Sequence, residues 1–159
     1  MPTEAGCSMP DELAELFDAA IYKEIASQAF YEAGQAKAQD PGAKALMQEL
    51  AKEELKHVNW LKVLKEKGLP DGGWRKRDVP DLKISEYLVG GDKAEDAGLQ
   101  DTLVFAMKRE EQSIEFYLKM MAAMRDEAAK RLCQRLIQAE LKHKLKLEIL
   151  YDDLFYSED

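Results

Sequence analysis

This chain has no basic excess, no cysteine framework and no membrane-length apolar run, and it contains only two histidines. Acidic residues outnumber basic ones, 31 to 23, and the formal charge of −8 argues against nucleic acid or an anionic membrane as the main partner. Cys7 and Cys133 are its only cysteines and neither sits in a Cys-x-x-Cys pair, so no disulfide framework is expected and a reducing cytoplasm is the natural location. No apolar stretch approaches the roughly 18 residues a spanning helix requires, and the N-terminus lacks the basic and apolar parts of a signal peptide. Glycine and proline are sparse, at nine and five residues. With 46% hydrophobic and 34% charged residues, the composition excludes a fibrous or disordered chain. It suits a charge-coated helical protein, expected to form one domain over residues 1–159.

The two histidines close the same four-residue word. Glu54-Leu-Lys-His57 returns as Glu140-Leu-Lys-His143, an offset of 86 residues between positions 57 and 143. On a helix, positions i and i+3 project from nearly the same face, so each word offers one carboxylate and one imidazole to a common point. The same offset places Ala20, Glu24, Ser27, Phe30 and Tyr31 on Ala106, Glu110, Ser113, Phe116 and Tyr117, and Leu61 and Leu64 on Leu147 and Leu150. One gapless offset matching two segments of each half is the mark of a duplicated helical hairpin.

Punctuation divides the chain accordingly. Ser8, Pro10 and Asp11 read as the start of a helix over about residues 9–39, and Asp40-Pro41-Gly42 resets the chain for a second over about 42–67, ended by Gly68 and Pro70. A long connection over about 69–97 follows, in which Leu82 to Leu88 could make a short helix. Helices over about 98–124 and 126–154 complete the set, the last capped by Asp126. The fold class is therefore all-α, a four-helix bundle of two antiparallel hairpins joined by a long crossover.

In each helix the apolar stripe runs through the acids in steps of three and four. It reads Leu13, Phe17, Ala20, Glu24, Ser27, Tyr31 in the first helix and Leu46, Leu50, Glu54, His57, Leu61, Leu64 in the second. The third carries Leu103, Ala106, Glu110, Ser113, Tyr117, Met120, Met124 and the fourth Leu132, Leu136, Glu140, His143, Leu147, Leu150, Leu154. Glu24, Glu54, Glu110 and Glu140 are thus aimed into the core, whereas Glu53 and Glu111 stand about 100° off the stripe and should be solvated. Four buried carboxylates repel one another and forfeit hydration, at several kcal/mol per uncompensated ion. Two divalent metals balance their charge, with two neutral imidazoles completing the set. Carboxylate oxygen and imidazole nitrogen without thiolate suit iron, or manganese, better than a structural zinc. On these grounds the metal ligands are expected to be Glu24, Glu54, His57, Glu110, Glu140 and His143.

The residues resemble the ferritin-like di-iron carboxylate superfamily, in which two helices each give a Glu and two give Glu-x-x-His. Within it, Ala-x-x-x-Glu-x-x-Ser and Glu-x6-Tyr in the first helix look most like the rubrerythrin branch. The resemblance covers about residues 11–154 and implies that Glu54 and Glu140 bridge two Fe ions, Glu24 and Glu110 are terminal ligands, and His57 and His143 bind one metal each. It also implies that Tyr31 and Tyr117 donate hydrogen bonds to the carboxylates. The activity implied is reduction of hydrogen peroxide, or oxidation of Fe(II) with peroxide or oxygen, in oxidative-stress defence. Storage of iron or manganese without turnover is the alternative.

The sequence departs from rubrerythrins in two places. They typically carry a rubredoxin domain with a four-cysteine iron site, and this sequence has no such cysteine set, so electrons are expected from an external donor such as a rubredoxin-like protein. They also carry a further Glu three residues after the third-helix ligand, where this chain has Ser113, leaving a symmetric ligand set closer to that of bacterioferritins. A homo-oligomer, a dimer by preference, is implied as well. Trp74-Arg75-Lys76-Arg77 reads as a solvated loop, Met120, Met121 and Met124 as core, and Cys133 as a small buried residue.

Overall fold

The computed structural model describes residues 11–67 and 98–156. Four long helices carry the chain: α1 (Asp11–Lys37), α2 (Pro41–Lys67), α3 (Leu99–Ala123) and α4 (Glu127–Tyr151), with a π-helical turn at Asp152–Tyr156. Among the described residues there is no strand. The Ser8 cap, the short helix over 82–88, the Trp74–Arg77 loop and Cys7 lie outside them.

Local chemistry sets the helix ends. Asp40 Oδ2 accepts the Ala43 amide at 2.8 Å, and Pro41, with no amide hydrogen to leave unpaired, takes the first helical position. Asp126, 86 residues further on, does the same for α4 by accepting the Ala128 amide at 2.8 Å. Because the residue that caps α2 must be extended, α1 ends at Lys37 rather than at 39, and the two hairpin turns are equivalent under the offset. The last helix stops being α-helical at Tyr151, short of the expected 154, where Tyr151 packs its ring against Phe155 and Tyr156 at centroid separations of 5.2 and 5.5 Å.

Hairpin α1–α2 packs along its full length, as does α3–α4, and the hairpins meet through narrower α2–α4 and α1–α3 contacts. Two apolar clusters fill the bundle. One gathers Leu16, Phe17, Leu61, Phe116, Met120, Leu132, Cys133 and Leu136; the other gathers Phe30, Met47, Leu50, Leu103, Ala106 and Leu147. The offset of 86 exchanges them: Phe30 becomes Phe116, Leu50 becomes Leu136, and Leu61 becomes Leu147. A pseudo-twofold axis therefore passes between them, where the chain places its buried charges.

Candidate metal centre

Glu24, Glu54, Glu110 and Glu140 are at most 2% exposed, and His57 and His143 are buried at 8% and 4%. All six project from mid-helix into the layer between the apolar clusters, because each occupies a stripe position that an aliphatic residue would otherwise fill. Glu53 pairs instead with Lys56 at 3.0 Å and Glu111 with Lys144 at 3.5 Å, both on the outer surface.

The six side chains form two overlapping donor sets. One joins Glu24, Glu54, His57 and Glu140; the other joins Glu54, Glu110, Glu140 and His143, with the donor atoms of each set within 4.8 Å of one another. His57 Nδ1 lies 3.6 Å from Glu24 Oε2, 3.7 Å from Glu54 Oε2 and 3.3 Å from Glu140 Oε1. His143 Nδ1 lies 3.0 Å from Glu54 Oε1, 3.6 Å from Glu110 Oε1 and 3.8 Å from Glu140 Oε2. Glu54 and Glu140 each turn one oxygen to each imidazole, while Glu24 faces His57 alone and Glu110 faces His143 alone. The imidazole rings lie nearly parallel, with centroids 5.9 Å apart.

Two tyrosines tie the hairpins together across this layer. Tyr117 Oη on α3 donates to Glu24 Oε1 on α1 at 2.5 Å, and Tyr31 Oη on α1 donates to Glu110 Oε1 on α3. Each tyrosine is fully buried and serves the carboxylate of the opposite hairpin. Helix spacing places these hydroxyls on the right face but cannot say which hairpin they reach.

Electrostatics and hydrogen bonding both call for cations here. Both oxygens of Glu54, Oε2 of Glu110, Oε1 of Glu140 and Nδ1 of both histidines are buried without a hydrogen-bond partner. Burial and the neighbouring charge of Glu24 push Glu54 up to about 8, and burial with Glu140 raises Glu110 well above the carboxylate range. For Glu24, burial opposes ionisation, but the approach of Glu54 and His57 and the Tyr117 hydrogen bond outweigh it and hold the carboxyl at about 2. Burial likewise opposes charge on His57, yet Glu140, Glu24 and Glu54 push it up to about 12; Glu110, Glu140 and Glu54 raise His143 in the same way. Burial and the facing carboxylates push both tyrosines up, so their protons stay in place. Protons thus supply the positive charge when no metal does.

Two cations near the centre were not singled out by the sequence pattern. Lys23 Nζ on α1 donates to Ser113 Oγ on α3 at 3.2 Å, and Arg109 on α3 donates to Ser27 Oγ on α1 at 3.4 Å. Burial lowers the Lys23 pKa, Glu24 works against that, and Arg109 adds to it, so the two cations feel each other. The signal was available, because the offset of 86 sets Lys23 on Arg109, each immediately before a core glutamate.

The sequence matches the rubrerythrin family over residues 15–151, a span that contains all six candidate ligands and both tyrosines. The chain belongs to the rubrerythrin family. Among solved structures, a hypothetical protein from Pyrococcus furiosus is 27% identical, with a TM-score of 0.69 and 92% of each chain covered. A Thermotoga maritima protein described as a candidate ferritin-like diiron-carboxylate protein is 22% identical, with a TM-score of 0.66, covering 91% of this chain and 95% of that one. A comparison with curated proteins found no match. This rubrerythrin-family chain therefore has the ferritin-like four-helix fold around a carboxylate and histidine site of the kind a di-iron centre uses. None of its described helices is long and apolar enough to cross a membrane.

Proposed function

We propose that the whole chain acts as one non-haem di-iron oxidoreductase domain that reduces hydrogen peroxide in the cytoplasm, drawing electrons from an external donor. The observation that carries this reading is the pair of donor sets sharing Glu54 and Glu140, with six of their atoms buried and unpartnered. Glu54 and Glu140 would bridge, Glu24 with His57 would complete one metal position, and Glu110 with His143 the other. Two iron ions held there would supply one electron each, matching the two electrons and two protons that convert hydrogen peroxide to two waters.

The chain's own residues do the rest. The two apolar clusters flank the layer on either side, and the near-complete burial of its four carboxylates makes their charge act at low dielectric. Tyr31 and Tyr117 keep their protons and hold Glu110 and Glu24 in fixed orientation across the hairpins. An external one-electron donor and a second copy of the chain are the partners this reading calls for.

Iron or manganese storage without turnover is the second reading. It draws support from the symmetry of the donor sets, with Ser113 engaged by Lys23 where a further carboxylate would make the two positions unequal. Loading with Fe(II) under anaerobic conditions, then following absorbance after stoichiometric peroxide and after oxygen, separates the two. Fast oxidation by peroxide and slow oxidation by oxygen supports the peroxidase reading. Rapid oxidation by oxygen with continued iron uptake supports storage, and failure to bind iron overturns both.

A further inference from the structure

The formal charge of −8 is not spread evenly over the bundle. Helices α2 and α4 carry six cations each and, apart from the candidate ligands Glu54 and Glu140, only five carboxylates: Glu49, Glu53, Glu66, Glu127 and Glu148. Helices α1 and α3 carry five cations between them and, apart from Glu24 and Glu110, five carboxylates on α1 and three on α3. The pair of helices that supplies both imidazoles is therefore basic, and the opposite pair is acidic.

The structure also opens on the basic side. A groove of about 830 Å³ runs between α2 and α4 and is lined by the candidate ligand His143. Arg131, Arg135, Lys142 and Lys146 border it from α4, all exposed, with Glu49 and Glu53 from α2. Lys146 pairs with Glu49 and Lys56 with Glu53, so each carboxylate of the groove already has a cation. Arg135 lies over Trp60 with its guanidinium carbon 5.3 Å from the ring centroid, an aromatic support that holds its charge at the groove. The offset of 86, which reproduces the centre, does not reproduce this border: Ala45, Glu49 and Trp60 on α2 stand where α4 has Arg131, Arg135 and Lys146. The basic stripe thus belongs to α4 and passes beside His143, whose Nδ1 lies 3.0 Å from Glu54.

Such a division of charge orients a partner. An acidic surface is repelled by α1 and α3 and drawn to α2 and α4, since fixed charges steer encounter and register. We propose that the α2–α4 groove is the docking surface for a one-electron carrier protein with an acidic face, and that electrons enter through the His143 imidazole. The docking rests on the di-iron reading above, which calls for an external donor and leaves its place of contact open. Each docking event oxidises the carrier by one electron and reduces one Fe(III) of the pair to Fe(II). Two events restore the pair after it has reduced one hydrogen peroxide.

The test loads iron into the wild type, Lys142→Glu, Arg135→Glu, and Lys108→Glu, a control that makes the same charge change on α3. Iron per chain is measured, the pair is oxidised with peroxide, and anaerobic reduction is followed with a reduced rubredoxin of acidic surface and, separately, with dithionite, from low to high salt. Reduction by rubredoxin is expected to slow about ten-fold at low salt in each α4 variant and less than about two-fold in Lys108→Glu, the difference vanishing near about 1 M salt. Dithionite should reduce all four proteins alike. Equal slowing in the α3 and α4 variants, a wild-type rate that ignores salt, or no reduction of the wild type by rubredoxin overturns the proposal and leaves the metal reading standing. So does an equal loss with dithionite, which marks a damaged centre. A wild type that binds no iron overturns the metal reading and the docking with it. If Arg135→Glu fails to fold without its contact to Trp60, Lys142→Glu decides the matter on the same readouts.

Discussion

The two hairpins of this bundle agree at the centre and diverge away from it. Around the buried charges, the offset of 86 reproduces every candidate ligand, both tyrosines, both serines and the sign of the neighbouring cation. In the core the hairpins reach the same packing by different residues. Gly34 on α1 leaves room for Met47 on α2, and a Cβ built at Gly34 would stand 3.2 Å from the Met47 sulfur. At the equivalent positions the second hairpin has Met120 on α3 and Cys133 on α4, both fully buried, so the large and small partners have changed places. Outside, Tyr22 and Ile25 are exposed on α1 where α3 carries Lys108 and Glu111. A core asks for volume, which two residues can divide either way, whereas the centre asks for particular atoms at particular positions.

The sharpest way to break the comparison is to remove a shared carboxylate. Glu54→Ala and Glu140→Ala should each lose most metal binding, weakening it more than about a hundred-fold, and should do so equally because each glutamate serves both sets. Metal analysis after gel filtration checks this, and two ions retained by either variant would contradict the sharing.

Acidity gives the next largest effect. Glu54 is raised from 4.5 to about 8 and His57 from 6.5 to about 12, so both hold protons in the metal-free fold that the unfolded chain would have released. A raised folded pKa means stability that is present in full below the unfolded value and lost as pH rises through the folded one. The metal-free protein should therefore lose thermal stability steadily from pH 6 to 9. Metal-loaded protein should show no such loss, its affinity rising and protons being released on binding. Melting curves across that range, with and without chelator, measure the difference; parallel curves would argue against protons standing in for metal.

Packing comes third. Gly34→Met or Cys133→Met places a second methionine opposite one already there, and each should cost about 1–3 kcal/mol in denaturant unfolding. Combining Gly34→Met with Met47→Cys rebuilds the second hairpin's division of volume in the first and should recover most of that loss. Additive losses would show that the two hairpins are not interchangeable in shape. Smallest of all, Tyr31→Phe and Tyr117→Phe should each reduce metal affinity about ten-fold, by matching amounts. A large difference between them would set the two positions apart.

Much of this was legible in the sequence because a duplicated bundle repeats its stripe, and an acid on an apolar stripe has only one direction to point. Glu24, Glu54, Glu110, Glu140, His57 and His143 could be named and brought together by phase alone. The cross-hairpin pairing was not legible: nothing in the spacing of Tyr31 says that its hydroxyl reaches Glu110 rather than Glu24, since helix phase fixes a face and not a partner. Lys23 and Arg109 escaped notice for a related reason. One residue off the stripe, a long cation is expected in water, and here each turns across α1 and α3 to a buried serine. Helix ends moved by a residue or two where Asp40 had to serve α2, and the π-helical turn after Tyr151, where its ring meets Phe155 and Tyr156, was not expected from the stripe.

Iron per chain after anaerobic loading and removal of excess metal tests the central claim most directly. Two donor sets sharing two glutamates predict two ions per chain. One ion would contradict the paired arrangement, and none would mean that the buried carboxylates are held by protons alone.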